Sequence, residues 1–429
     1  MSEKLGLLGG EPVRSHPYPQ HTTMIDEAEE KEVLDVLRSG HLSGFSAVWG
    51  ERFSGGPKVR ALEEAFAKWF GVKYAVSVNS ATSALHCAVA ATRVEPGEEV
   101  VTSPYTMGAT ASCILMQNAI PVFADIDEQY FCLDPVCVEA SITPRTRAIL
   151  TVNLFGHPSP LDELKAIADR HGLTLIEDNA QAPGAMYRGR LAGTVGEIGI
   201  QSLNYHKCIQ TGEGGIALTD NPELALHMQL VRNHGEVVVA PMGREDMPNT
   251  LGWNYRLSEV AAAIGIPQLA KLDQLNEIRV RLANYLTQQL AEFEFLTPPR
   301  VADGCTHVYY IYPIRFRQER LGISRQIFAR ALRAEGISVS EGYVRPLYLE
   351  PMYQRRSVFG TKGFPFRGGP YNGDVCYDEG ICRNAEQLWR SELLTTDICK
   401  YPNSEREIEE FVRAVDKISR NIDALRKLE

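Results

Sequence analysis

The stretch YAVSVNSATSALHCAVAA, residues 74–91, followed after a short turn by EVVT at 99–102, decides the fold. Tyr74–Val78 and Glu99–Thr102 are short, β-branched and apolar, as strands buried on both faces are. Between them, Ser83–Ala91 is a run of small and apolar residues long enough for a helix. A strand, a helix and a second strand in this order form a crossover unit and specify parallel pairing. Downstream the alternation continues. Strands are predicted at Pro121–Ala124, Ala148–Val152 and Leu173–Glu177, and helices at Ala109–Gln117, Pro135–Ser141 and Pro160–His171. The sequence therefore predicts an α/β fold: a large, mostly parallel sheet with helices on both faces. In such sheets ligands bind where the carboxyl ends of the strands open onto loops.

Upstream, Lys58–Phe70 reads as an amphipathic helix and residues 39–57 as a Gly-rich loop that is mobile or ligand-facing. Residues 26–38 read as a further helix and residues 1–25 as an extended arm. After about residue 257 the pattern changes. A helical stretch over Ser258–Phe293 interrupted at Pro267, a strand-like Val308–Phe316 and a helix at Ser324–Glu335 precede a polar, Gly-rich stretch at 353–385. A final helix is predicted at Glu405–Lys427. The expected organisation is an arm at 1–25, a large domain at 26–257 and a smaller α+β domain at 258–429, with a specificity loop at about 353–385.

Composition removes several function classes. The 429 residues carry 44 Lys+Arg against 54 Asp+Glu, a net charge of −10. That balance opposes tracking of nucleic-acid phosphates and attraction to an anionic membrane. The nine cysteines include no CxxC, so neither a zinc cage nor a dithiol redox motif is expected. The N-terminus lacks the apolar run of a signal peptide, and no apolar stretch is long enough for a membrane span. A soluble, cytoplasmic protein without a metal is the expectation.

Three motifs fall at predicted strand ends. In TLIEDNAQAPGA (Thr174–Ala185) a strand delivers Glu177 and Asp178 to a small-residue turn. A carboxylate there can ligate a metal, act as a base or bind a cationic heterocycle; read alone, it also fits an acid capping the turn. In SLNYHKCIQTGEGG (Ser202–Gly215) Lys207 lies in a loop bounded by glycines. A partly buried lysine has a lowered pKa and can condense with a carbonyl, although a solvated loop lysine has the same local signature. His206 beside it fits a packed or surface imidazole better than a catalytic one. In VNSATSALHCA (Val78–Ala88) small residues open a helix whose unpaired amides and dipole favour an anion, though Ser and Thr there are also simply good caps. Together the three supply what pyridoxal phosphate (PLP) requires: a phosphate cradle, a carboxylate for the ring nitrogen and an aldehyde-capturing lysine.

These blocks, with GWNYRLSEVAAAIGIPQL (Gly252–Leu269), resemble the DegT/DnrJ/EryC1/StrS aminotransferases over about residues 10–425. The resemblance implies a fold-type I, aspartate aminotransferase-like PLP enzyme. It makes Lys207 the Schiff-base lysine, Asp178 the partner of the pyridinium nitrogen and Gln181 a hydrogen-bonding neighbour of the ring hydroxyl. Ala81, Thr82 and Ser202 would hold the phosphate, with alanine standing where the family usually has glycine. Asn254 would reach the phosphate of a neighbouring subunit, making the unit a homodimer with intersubunit active sites. The family's stacking aromatic is replaced by Met107 in SPYTMGAT, with Tyr105 two residues earlier as the alternative stacking group.

The activity implied is transfer of an amino group from glutamate or glutamine to a keto-sugar or keto-cyclitol in secondary-metabolite or surface-sugar biosynthesis. Arg256 is a candidate reader of the donor carboxylate, equally explained by packing. Residues 39–57, Gly342–Gln354 and 353–385, with His307 and Tyr309, are candidates for the acceptor pocket, and Arg345, Arg355 and Arg356 for a diphosphate. The rival readings are a dehydratase-like PLP sugar enzyme, a catalytically silent relative and an NAD enzyme. Family dehydratases carry histidine where Lys207 stands, the intact Asp178–Gln181–Lys207 set opposes a silent relative, and no GxGxxG follows the first strand.

Overall fold

The computed structural model describes residues 3–19 and 23–428; residues 1, 2 and 20–22 of the predicted arm, and Glu429, lie outside the described residues. Seven strands form the main sheet: β1 (Tyr74–Val78), β2 (Glu99–Thr102), β3 (Ile120–Phe123), β4 (Thr146–Val152), β5 (Thr174–Asp178), β6 (Ile198–Ser202) and β7 (Gly215–Thr219). Their spatial order is β1-β7-β6-β5-β4-β2-β3. All neighbours are parallel except β7, which runs against both β1 and β6. The predicted strands are all present, three of them shifted or extended by one or two residues at an end.

The strands are joined or flanked by α1 (Glu27–Ser39), α2 (Pro57–Phe70), α3 (Ala81–Ala91), α4 (Ala109–Met116), α5 (Pro135–Ala140), α6 (Leu161–His171) and α7 (Pro222–Arg232). From Ser83 to Ala91 every residue of α3 is buried. Its alanines allow close approach to the sheet, where Ala84 and Ala88 share one core with Val76, Ile176, Ile200 and Met228. A helix that is apolar all round has no solvent face to keep, which is why this segment carries no amphipathic period.

Beyond β7 lie α8 (Glu259–Ala270) and α9 (Leu272–Leu290). The predicted break at Pro267 is corrected: Pro267 sits inside α8, and the chain turns at Lys271, which flanks both helices. Proline removes one intrahelical bond. Burial of Ala262, Ala263 and Leu269, and the bonds from the Gln268 amide to Met24 O (2.6 Å) and Glu29 (2.7 Å), hold the helix through it.

A second sheet is antiparallel throughout, with β8 (Leu296–Thr297), β9 (Tyr312–Phe316), β10 (Ser340–Glu341) and β11 (Leu393–Thr396) in the order β8-β9-β11-β10. The strand predicted from Val308 begins only at Tyr312. Residues 308–311 bond to the turn after β4 instead, through Val308 N to Gly156 O (2.9 Å) and Ile311 N to Phe155 O (3.4 Å). Helices α10 (Arg325–Ala334) and α11 (Glu405–Ser419) cover this sheet. The last predicted helix ends at Ser419 rather than Lys427, because the Asn421 amide bonds the Lys417 and Glu3 carbonyls and its backbone leaves helical geometry.

Residues 353–385 are less polar in place than in sequence. Phe366, Tyr371, Tyr377 and Cys382 are buried, and Tyr377 Oη donates to Pro121 O (2.6 Å) on the edge strand β3. Leu5 packs in the core between α9, α10 and α11. Arg14 pairs with Glu410, 396 positions away, while Glu335 accepts from Gly6 N (2.7 Å) and Val13 N (3.1 Å). All nine cysteines are free. Among the described residues no helix is long and apolar enough to cross a membrane.

Candidate active site

Asp178 ends β5, flanked in register by Val152 and Ile200, and is buried. Its carboxylate accepts from Thr110 Oγ1 (3.0 Å) and Ala180 N (3.2 Å). Burial pushes its pKa up; the Ala180 amide, Lys207 and Thr110 pull it back. Its neighbour Glu177 has a different task. It accepts from the amides of Gly193 (2.6 Å), Val195 (2.7 Å) and Gly196 (2.8 Å), so it caps the turn before β6 and takes no part in the site.

Lys207 lies in the loop from β6 to β7. Because these strands are antiparallel neighbours, the loop must return on itself, and Leu203 N to Gly214 O (2.9 Å) and Thr211 N to Leu203 O (2.8 Å) fix it. The ammonium stands 4.4 Å from the ring centroid of Tyr310. Burial lowers its pKa from 10.5 to about 8, with Asp178 acting in the opposite sense. The two groups therefore feel each other's charge at the carboxyl edge of the sheet. His206 is exposed, and its ring is edge-on to Tyr205.

The opening of α3 carries only small side chains. Ser80 caps it by accepting from Ser83 N (3.1 Å), leaving Ala81 and Thr82 as its first residues. Gly215 lies so close that a Cβ there would stand 2.5 Å from Ser80 C and 2.6 Å from Ala81 N. In register, Gly215 is also the partner of Ser202. One glycine thus brings together Ala81, Thr82 and Ser202, the three residues expected at the phosphate.

Gln181 is clamped at both ends: its Nε2 donates to Tyr343 Oη (2.9 Å) and its Oε1 accepts from Phe155 N (2.9 Å). Tyr105 is fully buried, edge-on to Tyr343, with its hydroxyl accepting from Tyr343 N (3.1 Å); Met107 is 60 % exposed at the start of α4. Asn254 is exposed and bridges to Asn233; among the described residues no hydrogen bond ties its side chain to the cradle. Arg256 donates to Asn233 Oδ1 (2.9 Å), the packing alternative. His307 and Tyr309 stack on each other at 3.9 Å and are buried. Arg356 lies over Tyr377 and bonds Val375 O (2.7 Å), and Arg345 lies over Trp389.

Thr110, Tyr310 and Tyr343 also belong to the site and were not singled out in the sequence. Tyr310 stands beside His307 and Tyr309 in HVYYIYPIRF, but only the departure of residues 308–311 from strand geometry turns it toward Lys207.

The donor set fits PLP: a partly buried lysine of lowered pKa, an acidic acceptor held by two donors, and helix amides that the close approach of Gly215 leaves without a covering side chain. Sheet and site together define a fold-type I PLP enzyme. The chain belongs to the DegT/DnrJ/EryC1/StrS aminotransferase family, whose profile matches residues 24–365. It is 38 % identical over 376 residues to L-glutamine:2-deoxy-scyllo-inosose aminotransferase of Streptoalloteichus tenebrarius, covering 84 % of this chain and 87 % of that protein. It is 34 % identical over 360 residues to the spore coat polysaccharide biosynthesis protein SpsC of Bacillus subtilis, covering 82 % and 89 %. The crystal structure of S. venezuelae DesV in complex with a ketimine intermediate superposes with a TM-score of 0.76 at 31 % identity, covering 91 % of this chain and 94 % of that one. Aminotransferase chemistry on PLP is the activity of the family.

Proposed function

We propose that this chain transfers an amino group from L-glutamine or L-glutamate to a keto-sugar or keto-cyclitol in the biosynthesis of a secondary metabolite or surface sugar. The observation that carries the reading is that Lys207 lies within charge range of Asp178 at the carboxyl edge of the sheet, beside the open first turn of α3. The relatives that act on a cyclitol ketone and in polysaccharide formation support the acceptor class. The same reading divides the chain at about residue 257, gives residues 353–385 a role in acceptor choice and places the enzyme in the cytoplasm.

When bound, PLP supplies an aldehyde carbon for amine exchange and a ring that withdraws electrons from the substrate carbon. In the proposed roles, the chain's own groups do the rest. The Asp178 carboxylate holds a proton on the ring nitrogen. The α3 amides, Thr82 and Ser202 hold the phosphate. Gln181, fixed by Tyr343 and Phe155, presents its amide edge to the ring hydroxyl, and Met107 covers the ring face. In this scheme Lys207 Nζ would be the tethered amine, its pKa lowered by burial to about 8, that moves the proton. It removes the proton from the donor's α-carbon and later returns one on the acceptor side. Asn254 completes the cradle of a second subunit in a homodimer.

The test is the visible absorption of the PLP-loaded protein before and after L-glutamine or L-glutamate. Conversion of the visible band to the near-ultraviolet, and loss of the visible band in Lys207→Ala, are expected. A band that ignores both amino acids sinks the donor assignment.

A further inference from the structure

Tyr310 has a second neighbour besides Lys207. It forms one wall of a cavity of about 230 Å³, lined also by His206, Arg279, Ser338, Thr396 and Lys400. Arg279 projects from α9 and is 2 % exposed. Its only hydrogen bond among the described residues is a long one, Nη1 to Tyr309 O at 3.5 Å, and none of their carboxylates pairs with it.

The other buried arginines are provided for. Arg232 pairs with Glu63, Arg14 with Glu410, and Arg315 with Glu128 and Glu392. Arg325 donates to three backbone carbonyls. A guanidinium keeps its charge at any working pH, and burying that charge without a counter-ion is costly. The one carboxylate on the cavity wall, Asp397, is taken by Lys400. Partial desolvation of its ring and the charge of Lys207 hold the exposed His206 toward its neutral form. The cavity is thus left with one uncompensated positive charge, together with the Ser340 hydroxyl on its rim.

A guanidinium fork with hydroxyls nearby matches a carboxylate. We infer that the Arg279 cavity receives a carboxylate of the amino-acid donor and so fixes the donor against Lys207. The inference rests on the aminotransferase reading above and supplies the carboxylate reader that Arg256, committed to Asn233, does not. A phosphate on an activated sugar is the other source of an oxyanion. The single net charge and the wall shared with the lysine favour the donor, whose carboxylates lie only a few bonds from the carbon that loses its proton.

Glutarate, a donor-like dicarboxylate without an amine, is the probe. Calorimetric titration into the PLP-loaded protein should show saturable binding, weakened at least about tenfold in Arg279→Met and in Ser340→Asp. Ser340 is exposed, so the second variant sets a competing carboxylate at the rim without threatening the fold; melting temperatures check both. In the spectral half-reaction the half-saturating L-glutamate concentration should rise by a similar factor. Glutarate binding that is absent, or unchanged in both variants, overturns the inference, as does inorganic pyrophosphate binding where glutarate does not. If glutarate binding is lost in both variants yet no amino acid alters the wild-type spectrum, the carboxylate site stands and the transaminase reading fails.

Discussion

Lys207 is a costly residue to bury, and its cost depends on pH. In the folded chain the amine releases its proton near 8, in the unfolded chain near 10.5. Between these values the unfolded state binds more protons, so the stability contributed by this group rises as pH rises through that window. The cofactor-free protein should therefore gain, relative to Lys207→Met, on the order of 3 kcal/mol from pH 8 to 10.5 if the whole shift is realised, read from denaturant midpoints. Asp178→Asn removes the charge that holds the amine's pKa up and should move the onset of that gain to lower pH. An identical pH dependence in wild type and Lys207→Met would show that the amine is not buried as described.

At the scale of elements, the cradle depends on the fit between β7 and α3. A methyl group at Gly215 meets backbone rather than a flexible side chain. Gly215→Ala should push the two elements apart, costing about 1–3 kcal/mol of stability and weakening PLP binding together; a titration of the cofactor-free variant and its melting curve measure both. Tyr377→Phe deletes the hydroxyl on Pro121 O at the sheet edge and should cost about 1 kcal/mol without altering the spectrum of bound PLP. Much of this scale was legible in advance. Five strands and the helices between them follow from short β-branched runs separated by small, apolar stretches. The antiparallel turn of β7 was not legible, because five apolar residues do not encode a direction. Nor was the inward turn of Tyr310, which depends on bonds to Phe155 and Gly156 about 155 positions earlier. Asp178, Lys207 and the opening of α3 were legible because each combines a special residue with a strand end. Thr110, which holds Asp178, and Tyr343, which holds Gln181, lie in SPYTMGAT and Gly342–Gln354, segments that the sequence marks without distinguishing either residue.

At the scale of the molecule, Leu251 and Trp253 are exposed just before Asn254, and Trp253 lies flat along Tyr255. Apolar side chains beside a residue assigned to another subunit's cradle are what a dimer would cover. Sedimentation should find a dimer, and Trp253→Asp should shift it toward monomer and lower PLP occupancy in the same samples; a monomeric wild type that is fully loaded with PLP would remove Asn254 from the site. The contacts of residues 5–14 with Glu335, Glu410 and the core around α11 bear on how the protein is made. A ribosome delivers Leu5 and Arg14 long before their partners, so this segment stays unsatisfied through nearly the whole of synthesis. The second sheet cannot close over its core until α11 has emerged. An affinity tag or fusion placed against these residues would therefore act on the last step of folding, at the opposite end of the chain from where it was attached.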